Sequence, residues 1–227
     1  LVAVPFAWLV VRTDLPGRRI WATAAALPLV IPSYVAALCL LSLFGEKGLL
    51  QQALGVERLP DPTGYWGALA ALTLSTYPYV FLLTQAALRD LDPGPEEAAR
   101  SLGASRVRVL FRVTLPSVRP AISLGSLLVA LYTLSDFGAV SILRYDVFTS
   151  VIYTAYRSSF DRSTAAVLSL LLVALTVAIS VGESRVRRRD VARVGGGVAR
   201  PAEPVRLGPW RWPLTGAAGF VVALALV

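Results

Sequence analysis

Glu96-Glu97-Ala98-Ala99-Arg100-Ser101-Leu102-Gly103-Ala104-Ser105-Arg106-Val107-Arg108-Val109-Leu110-Phe111-Arg112-Val113-Thr114-Leu115-Pro116 is a charged, helix-favouring segment set between two long apolar runs. Upstream, residues 64–88 hold no charged side chain; downstream, residues 120–143 hold one, Asp136. Two further runs, 20–44 and 163–182, are also free of charge. About 20 apolar residues suffice to cross a bilayer whose hydrocarbon core is about 30 Å thick. The composition points the same way: 56% of residues are hydrophobic and 16% charged, against about 25% charged in a typical soluble domain. Soluble core helices are the alternative, but they seldom run this long without a charge. The expected fold is therefore all-α, a polytopic transmembrane helix bundle with complete spans at about 20–44, 64–88, 120–142 and 163–183.

Both ends read as cut. Residues 1–11 are apolar but too short to span, and lack the basic flank of a secretory signal. Residues 212–227 stop in mid-run. Between the last full span and that run, residues 184–209 carry a basic cluster, then Gly195-Gly196-Gly197, then Pro201 and Pro204, the composition of a flexible linker. The expected organisation is a first transmembrane domain over 1–183, a linker over 184–209, and the start of a second transmembrane domain over 210–227.

Charge sets the topology. Of the 22 Lys and Arg, 17 fall within residues 12–19, 89–119 and 185–211, on one side of the alternating spans; five fall within 47–58 and 144–162 on the other. Basic residues stay in cytoplasmic loops, so residues 89–119 and 184–209 are expected in the cytoplasm, with the chain in a bacterial inner membrane. The same bias accounts for the net charge of +8 without nucleic acid. The 185–193 cluster can also meet anionic lipid head groups. On the outer side, residues 48–55 predict a short interfacial helix. The aromatic, amphipathic run 145–156 predicts either an interfacial anchor or a surface for an external partner.

The segment after Asp92 is built as a knob. Asp92 can cap a helix, and Pro93 and Pro95 suit its first turn. Glu96 and Glu97 sit where the macrodipole favours negative charge. Ala98 and Ala99 let another surface approach the backbone. Gly103 permits a sharp turn or positive φ, after which Arg106, Val107, Val109, Leu110, Phe111 and Val113 begin a second amphipathic stretch. Pro116 is expected to end it and Pro120 to open the next membrane helix. A rigid helix–bend–helix of this kind fits a groove on a cytoplasmic partner; a solvated loop with basic anchors is the alternative.

The spacing Glu97-Ala98-Ala99, three residues, Gly103, nine residues, Val113, one residue, Leu115-Pro116 resembles the EAA-x3-G-x9-I-x-LP loop of the membrane subunits of binding-protein-dependent ABC importers. Val113 replaces the Ile of the pattern. The resemblance implies a type I ABC importer permease fold. It also implies that the 92–119 segment is the coupling segment docking on a cytoplasmic ABC ATPase dimer, with Glu96, Glu97, Ala98, Ala99 and Gly103 at the contact and Leu115 and Pro116 shaping the exit. ATP and Mg would belong to that ATPase, and a periplasmic binding protein would deliver the cargo. Thr13–Arg19, Leu74–Tyr79 and Leu134–Ser141 are similar to the ferric-iron branch of the family, so most of residues 12–182 carry the resemblance. That branch often fuses two permease domains in one chain, which agrees with the linker and the new apolar run.

This chain has no G-x-x-x-x-G-K-[ST] loop to cradle phosphates, so the energy source is expected on another polypeptide and the chain is not itself an enzyme. It has no His and no Met, and the single Cys39 reads as a small hydrophobe. No cysteine or histidine cluster offers a metal site. A ferric cargo would cross transiently and be selected by the binding protein. Asp136 is the acid inside a span; such residues face a partner or a watery route. With Tyr132 and Ser135 it is expected either to line the outer part of the pathway or, structurally, to cap a helix break before Gly138. Pro28, Pro32 and Pro78 can kink their helices. Ala22/Ala26 and Ala121/Gly125 have the spacing of close helix packing. Thiamine, sulfate or polyamine permeases share the coupling motif. A gradient-driven secondary transporter or a membrane scaffold would be the reading outside the family.

Overall fold

The computed structural model describes residues 2–45, 48–55, 61–158, 162–191, 205 and 208–226. Among them every regular element is helical, and the extended pairing is an isolated parallel bridge between Thr13 and Val205. The elements are α1 (Ala3–Arg12), α2 (Arg18–Ala24), a 3-10 turn (Leu27–Val30), α3 (Ser33–Phe44), α4 (Leu49–Leu54), α5 (Tyr65–Arg89) and α6 (Gly94–Ser101). Then follow α7 (Arg106–Val109), a π turn (Leu110–Thr114), α8 (Leu115–Ser135), α9 (Gly138–Ile142), α10 (Phe148–Ser158), α11 (Ser163–Val191), a 3-10 turn (Gly208–Trp210) and α12 (Arg211–Leu226).

Four helical runs among the described residues are long and apolar enough to cross a membrane: Ser33–Gln52, Tyr65–Arg89, Arg106–Ser135 and Ser163–Arg185. In the last, only 6% of the apolar window is buried, with Val167, Leu170, Leu171, Val173 and Val177 exposed. A helix that turns this much hydrocarbon outward needs lipid or another apolar surface around it.

Three boundaries differ from the expectation. The charge-free run 20–44 is not one helix: it breaks into α2, a 3-10 turn and α3. Pro28 and Pro32 lack the N–H an α-helix needs there, and proline disfavours α conformation in the residue before it. Pro32 instead sits extended, ψ 144°, immediately ahead of α3. The run 120–142 starts earlier and breaks at Asp136. Its helix is continuous from Arg106, so Pro116 does not end the amphipathic stretch and Pro120 does not open a new one. The π turn is the physical reason: Leu115 N–H reaches back to Leu110 C=O, and such local adjustments re-satisfy backbone groups that proline frees. Finally, α11 continues past 183 to Val191, so the first part of the expected linker is helical. The Gly195–Gly197 run, Pro201 and Pro204 lie outside the described residues. Helix α5 keeps its predicted extent and carries Pro78 within it. The predicted 48–55 helix is α4, closed by Gly55.

The chain divides into two compact units. In the unit made of Leu1–Ala26, Tyr77–Leu128 and Ser180–Phe220, α1 meets the second half of α5, with Phe6 and Phe81 rings 5.2 Å apart. Ala3, Ala7 and Val10 of α1 are buried as well. Helix α8 crosses α5 at Gly125: a Cβ there would lie 2.7 Å from Val80 Cα, so only glycine permits the approach.

The unit made of Leu27–Thr76, Val129–Ile179 and Val221–Val227 has its own core. Ala37 and Leu40 of α3, Ala68, Ala71 and Leu72 of α5, and Ala139, Val140 and Leu143 at α9 form one buried cluster. Gly64 N–H donates to Leu143 C=O at 2.6 Å, tying the start of α5 to the end of α9.

Candidate functional site: the charged knob and the helix break

The knob forms as local chemistry directs. Asp92 Oδ1 accepts from Gly94 N–H at 2.9 Å, satisfying a donor that the first turn of α6 leaves free. At the other end Gly103 has φ +83°. Gly103 N–H donates to Arg100 C=O at 2.9 Å, and Ala104 N–H to Ala99 C=O at 3.0 Å. This paired 5→2 and 6→1 bonding is the Schellman closure of a helix, and its left-handed position favours glycine. Ser105 then heads α7, its Oγ accepting from Arg108 N–H at 3.4 Å.

Glu96 and Glu97 face opposite ways. Glu97 and Ala98 are exposed and Ala99 is half-buried. Glu96 is 5% exposed and belongs to the interior. Its Oε1 lies 3.4 Å from Arg12 Nη2 and accepts from Thr114 Oγ1 at 2.8 Å, while Oε2 lies 3.8 Å from Arg100 Nη2. One carboxylate thus ties α6 to the end of α1 and to the π turn. Arg12 is itself 5% exposed. Leu115 and Pro116 are half-buried where the π turn passes into α8.

The outward surface includes residues the sequence reading did not assign to the contact. Leu102 (89% exposed), Val107 and Phe111 leave apolar side chains exposed on the same helix–bend–helix that carries Glu97 and Ala98. Leu102 stands next to the Schellman glycine. Val107 and Phe111 are four apart, on one helical face, and that spacing was a signal available in the sequence. Arg12 had none, because its partner is far along the chain.

Asp136 marks the break between α8 and α9. It is buried, and both carboxylate oxygens are engaged: Ser33 Oγ donates to Oδ2, and Ala139 N–H donates to Oδ1 at 3.1 Å. Thr149 Oγ1 donates to Asp136 C=O at 2.8 Å. The carboxylate therefore caps α9 and fastens α3 to it. The three residues assigned to a pathway do not share one environment. Tyr132 is half-buried against the core cluster. Ser135 is exposed, with its Oγ on Tyr132 C=O at 2.9 Å. Helix α5 adds polar groups that the sequence reading passed over because they carry no charge: Thr84 Oγ1 and Gln85 Nε2 are buried with no hydrogen-bond partner among the described residues. Those residues hold no group of three or more His, Cys, Asp or Glu arranged to take a metal ion.

Comparison with known proteins identifies the family. The family described as "Binding-protein-dependent transport system inner membrane component" matches residues 3–188. The chain is 37% identical over 196 residues to an Fe(3+)-transport system permease protein of Haemophilus influenzae, covering 86% of this chain and 36% of that one. It is 34% identical to the molybdenum transport system permease protein of Escherichia coli, covering 83% of this chain and 86% of that protein. It is 32% identical to a sulfate transport system permease protein of Salmonella typhimurium, covering 82% and 70%. The chain thus spans about a third of the ferric relative's length and most of the other two. The fold is shared with a bacterial alginate ABC transporter solved with a periplasmic protein, TM-score 0.66 at 17% identity over 86% of this chain and 73% of that one. It is also shared with the MetNI methionine ABC transporter, TM-score 0.62 at 18% identity over 83% and 86%. The chain belongs to the family of inner membrane components of binding-protein-dependent transport systems.

Proposed function

We propose that the chain is the permease part of an ATP-driven importer, and that the helix–bend–helix carrying Glu97, Ala98, Leu102, Val107 and Phe111 seats a cytoplasmic ATPase. The observation that carries this is the exposed apolar set on a knob whose base is fastened by buried Glu96. Exposed apolar side chains rimmed by charge are what a docking surface presents. Gly103 shapes the knob, while Leu115 and Pro116 pass its movement into α8. Transport then follows if the ATP-bound partner prefers one arrangement of the bundle, since equal affinity for both would shift nothing. ATP and Mg act on the partner. A binding protein delivers cargo at amphipathic α10, which exposes Phe148, Val151, Tyr153 and Tyr156. A second permease domain completes the pathway.

Co-purification of the ATPase with the permease tests the docking surface. Leu102→Glu with Phe111→Glu should abolish it, while the protein stays folded by tryptophan fluorescence. Full retention of the ATPase would overturn the assignment.

Ferric iron is the cargo we propose. The stretches 13–19, 74–79 and 134–141 resemble the ferric branch, and the ferric relative is 37% identical against 34% and 32% for the molybdenum and sulfate relatives. For Asp136 the geometry supports the cap at the α8–α9 break over a place on the pathway. Asp136→Asn should lower the melting temperature and reduce uptake only in proportion to folded protein. A large fall in uptake by fully folded protein would restore the pathway role.

A further inference from the structure

We propose that the cavity between the end of α1, α6 and α7 is a binding site for a phosphate-type oxyanion. Its volume is about 110 Å³, where about 10–15 Å³ on this measure admits one water, so a tetrahedral oxyanion with some hydration fits. Its polar wall is made of Arg12, Arg100, Arg106, Glu96 and Thr114, and Trp8 lies on its apolar side. Three guanidiniums against one carboxylate leave the site with an excess of positive charge.

Glu96 ion-pairs with Arg12 and Arg100, and its single charge offsets only part of that excess. Glu96 stands 3.4 Å from Arg12 and 3.8 Å from Arg100, longer than the roughly 2.7–2.9 Å of a charge-assisted hydrogen bond. Arg12 is 5% exposed, and its Nε and Nη2 find no hydrogen-bond acceptor among the described residues. A buried, charged donor left unsatisfied is costly. The Nε–Nη2 edge of a guanidinium is also a planar fork that matches two oxygens of a phosphate group. Arg106, exposed at the start of α7, supplies a third donor group from the rim.

The ligand chemistry is one, with two possible sources. By the charge bias the site lies at the cytoplasmic surface, where a phosphodiester headgroup of an anionic lipid and free phosphate are both at hand. Either would share Arg12 with Glu96, so occupancy would loosen the tie between α6 and α1. The site would thereby tune how firmly the knob is held.

The test uses the full-length permease in nanodiscs without ATPase, so it does not depend on the transport reading; ATPase co-purification from the same preparation reports on that reading separately. In neutral phosphatidylcholine discs, inorganic phosphate is titrated and the melting temperature followed. In discs containing phosphatidylglycerol, the lipid retained on the protein is counted by native mass spectrometry. A saturable rise with phosphate, weakened about tenfold or more in Arg106→Gln, assigns free phosphate. Selective retention of phosphatidylglycerol, lost in Arg106→Gln and with no response to phosphate, assigns the headgroup. No effect of either anion overturns the site, as does an effect equally large in Arg106→Gln and Arg100→Gln. Arg12→Gln is a third variant, and the exposed Arg106 decides the question if that protein does not fold.

Discussion

Glu96 and Glu97 adjoin in sequence, and their surroundings make different residues of them. Glu97 is solvated on the surface proposed to dock a partner, whereas Glu96 lies inside an arginine pair with Thr114. Glu96→Gln removes the charge opposite Arg12, both side chains being almost fully buried. Breaking such a pair from one side costs about 3 kcal/mol, to be read as a clear drop in melting temperature. Glu97→Gln should leave the melting temperature within error and act only on ATPase association. Gly103 at φ +83° has open space around its missing Cβ, so Gly103→Ala suffers from backbone conformation alone, by about 1 kcal/mol. Normal stability in that variant, measured by thermal unfolding, would show that the left-handed turn is not retained.

At the scale of elements, the junction from α7 through the π turn into α8 changes how the knob connects to the membrane. Pro116 and Pro120 read as stops in the sequence. In the structure the helix runs from Arg106 to Ser135 without interruption. The second half of the knob is therefore the N-terminal end of that helical run, and the proposed docking would act on the run there. Inserting a flexible Gly-Gly pair after Thr114 should leave ATPase association intact and abolish cargo uptake in vesicles. Undiminished uptake would mean that the continuous helix is not the transmitting element. The crossing of α8 over α5 gives a second prediction. Gly125→Leu drives a side chain into Val80, whose Cα lies 2.7 Å from the position of the first added carbon. Overpacking of this kind costs about 1–3 kcal/mol, and the loss should be visible in thermal unfolding.

For the whole molecule, the predicted activity is uptake of ferric iron by vesicles holding the complete permease, its ATPase and a loaded binding protein. Uptake should require ATP and should not follow an imposed ion gradient. Molybdate or sulfate uptake in place of iron would reassign the cargo and leave the importer reading intact. Uptake driven by a gradient without ATP would overturn that reading. Cargo is the least legible property because the segment read as a coupling segment would report how the bundle is driven, and the described residues hold no cluster of His, Cys, Asp or Glu that would name what passes.

Much of the architecture was legible because its causes are local. Runs without charge partition into lipid whatever else the chain does, and the α5 span appears within a residue of where its composition ends. The Gly103 turn was equally legible, since a left-handed position singles out glycine. The prolines were harder to read. Pro28 and Pro32 break the 20–44 run, Pro78 sits within α5, and Pro116 and Pro120 are absorbed near a π turn. Whether a freed carbonyl finds another donor depends on backbone adjustments that composition does not encode.

The sequence alone determined that this is an all-helical membrane chain, which loops are basic, and where the charged segment 96–116 interrupts the apolar runs, because hydropathy, charge bias and turn chemistry act over a few residues. Only the tertiary structure decided which of two adjacent glutamates faces inward, and that Asp136 fastens Ser33, 103 residues away. Those choices depend on partners brought together by the fold. A buried carboxylate is tolerated only where donors converge on it, and no short window of sequence contains both halves of that condition.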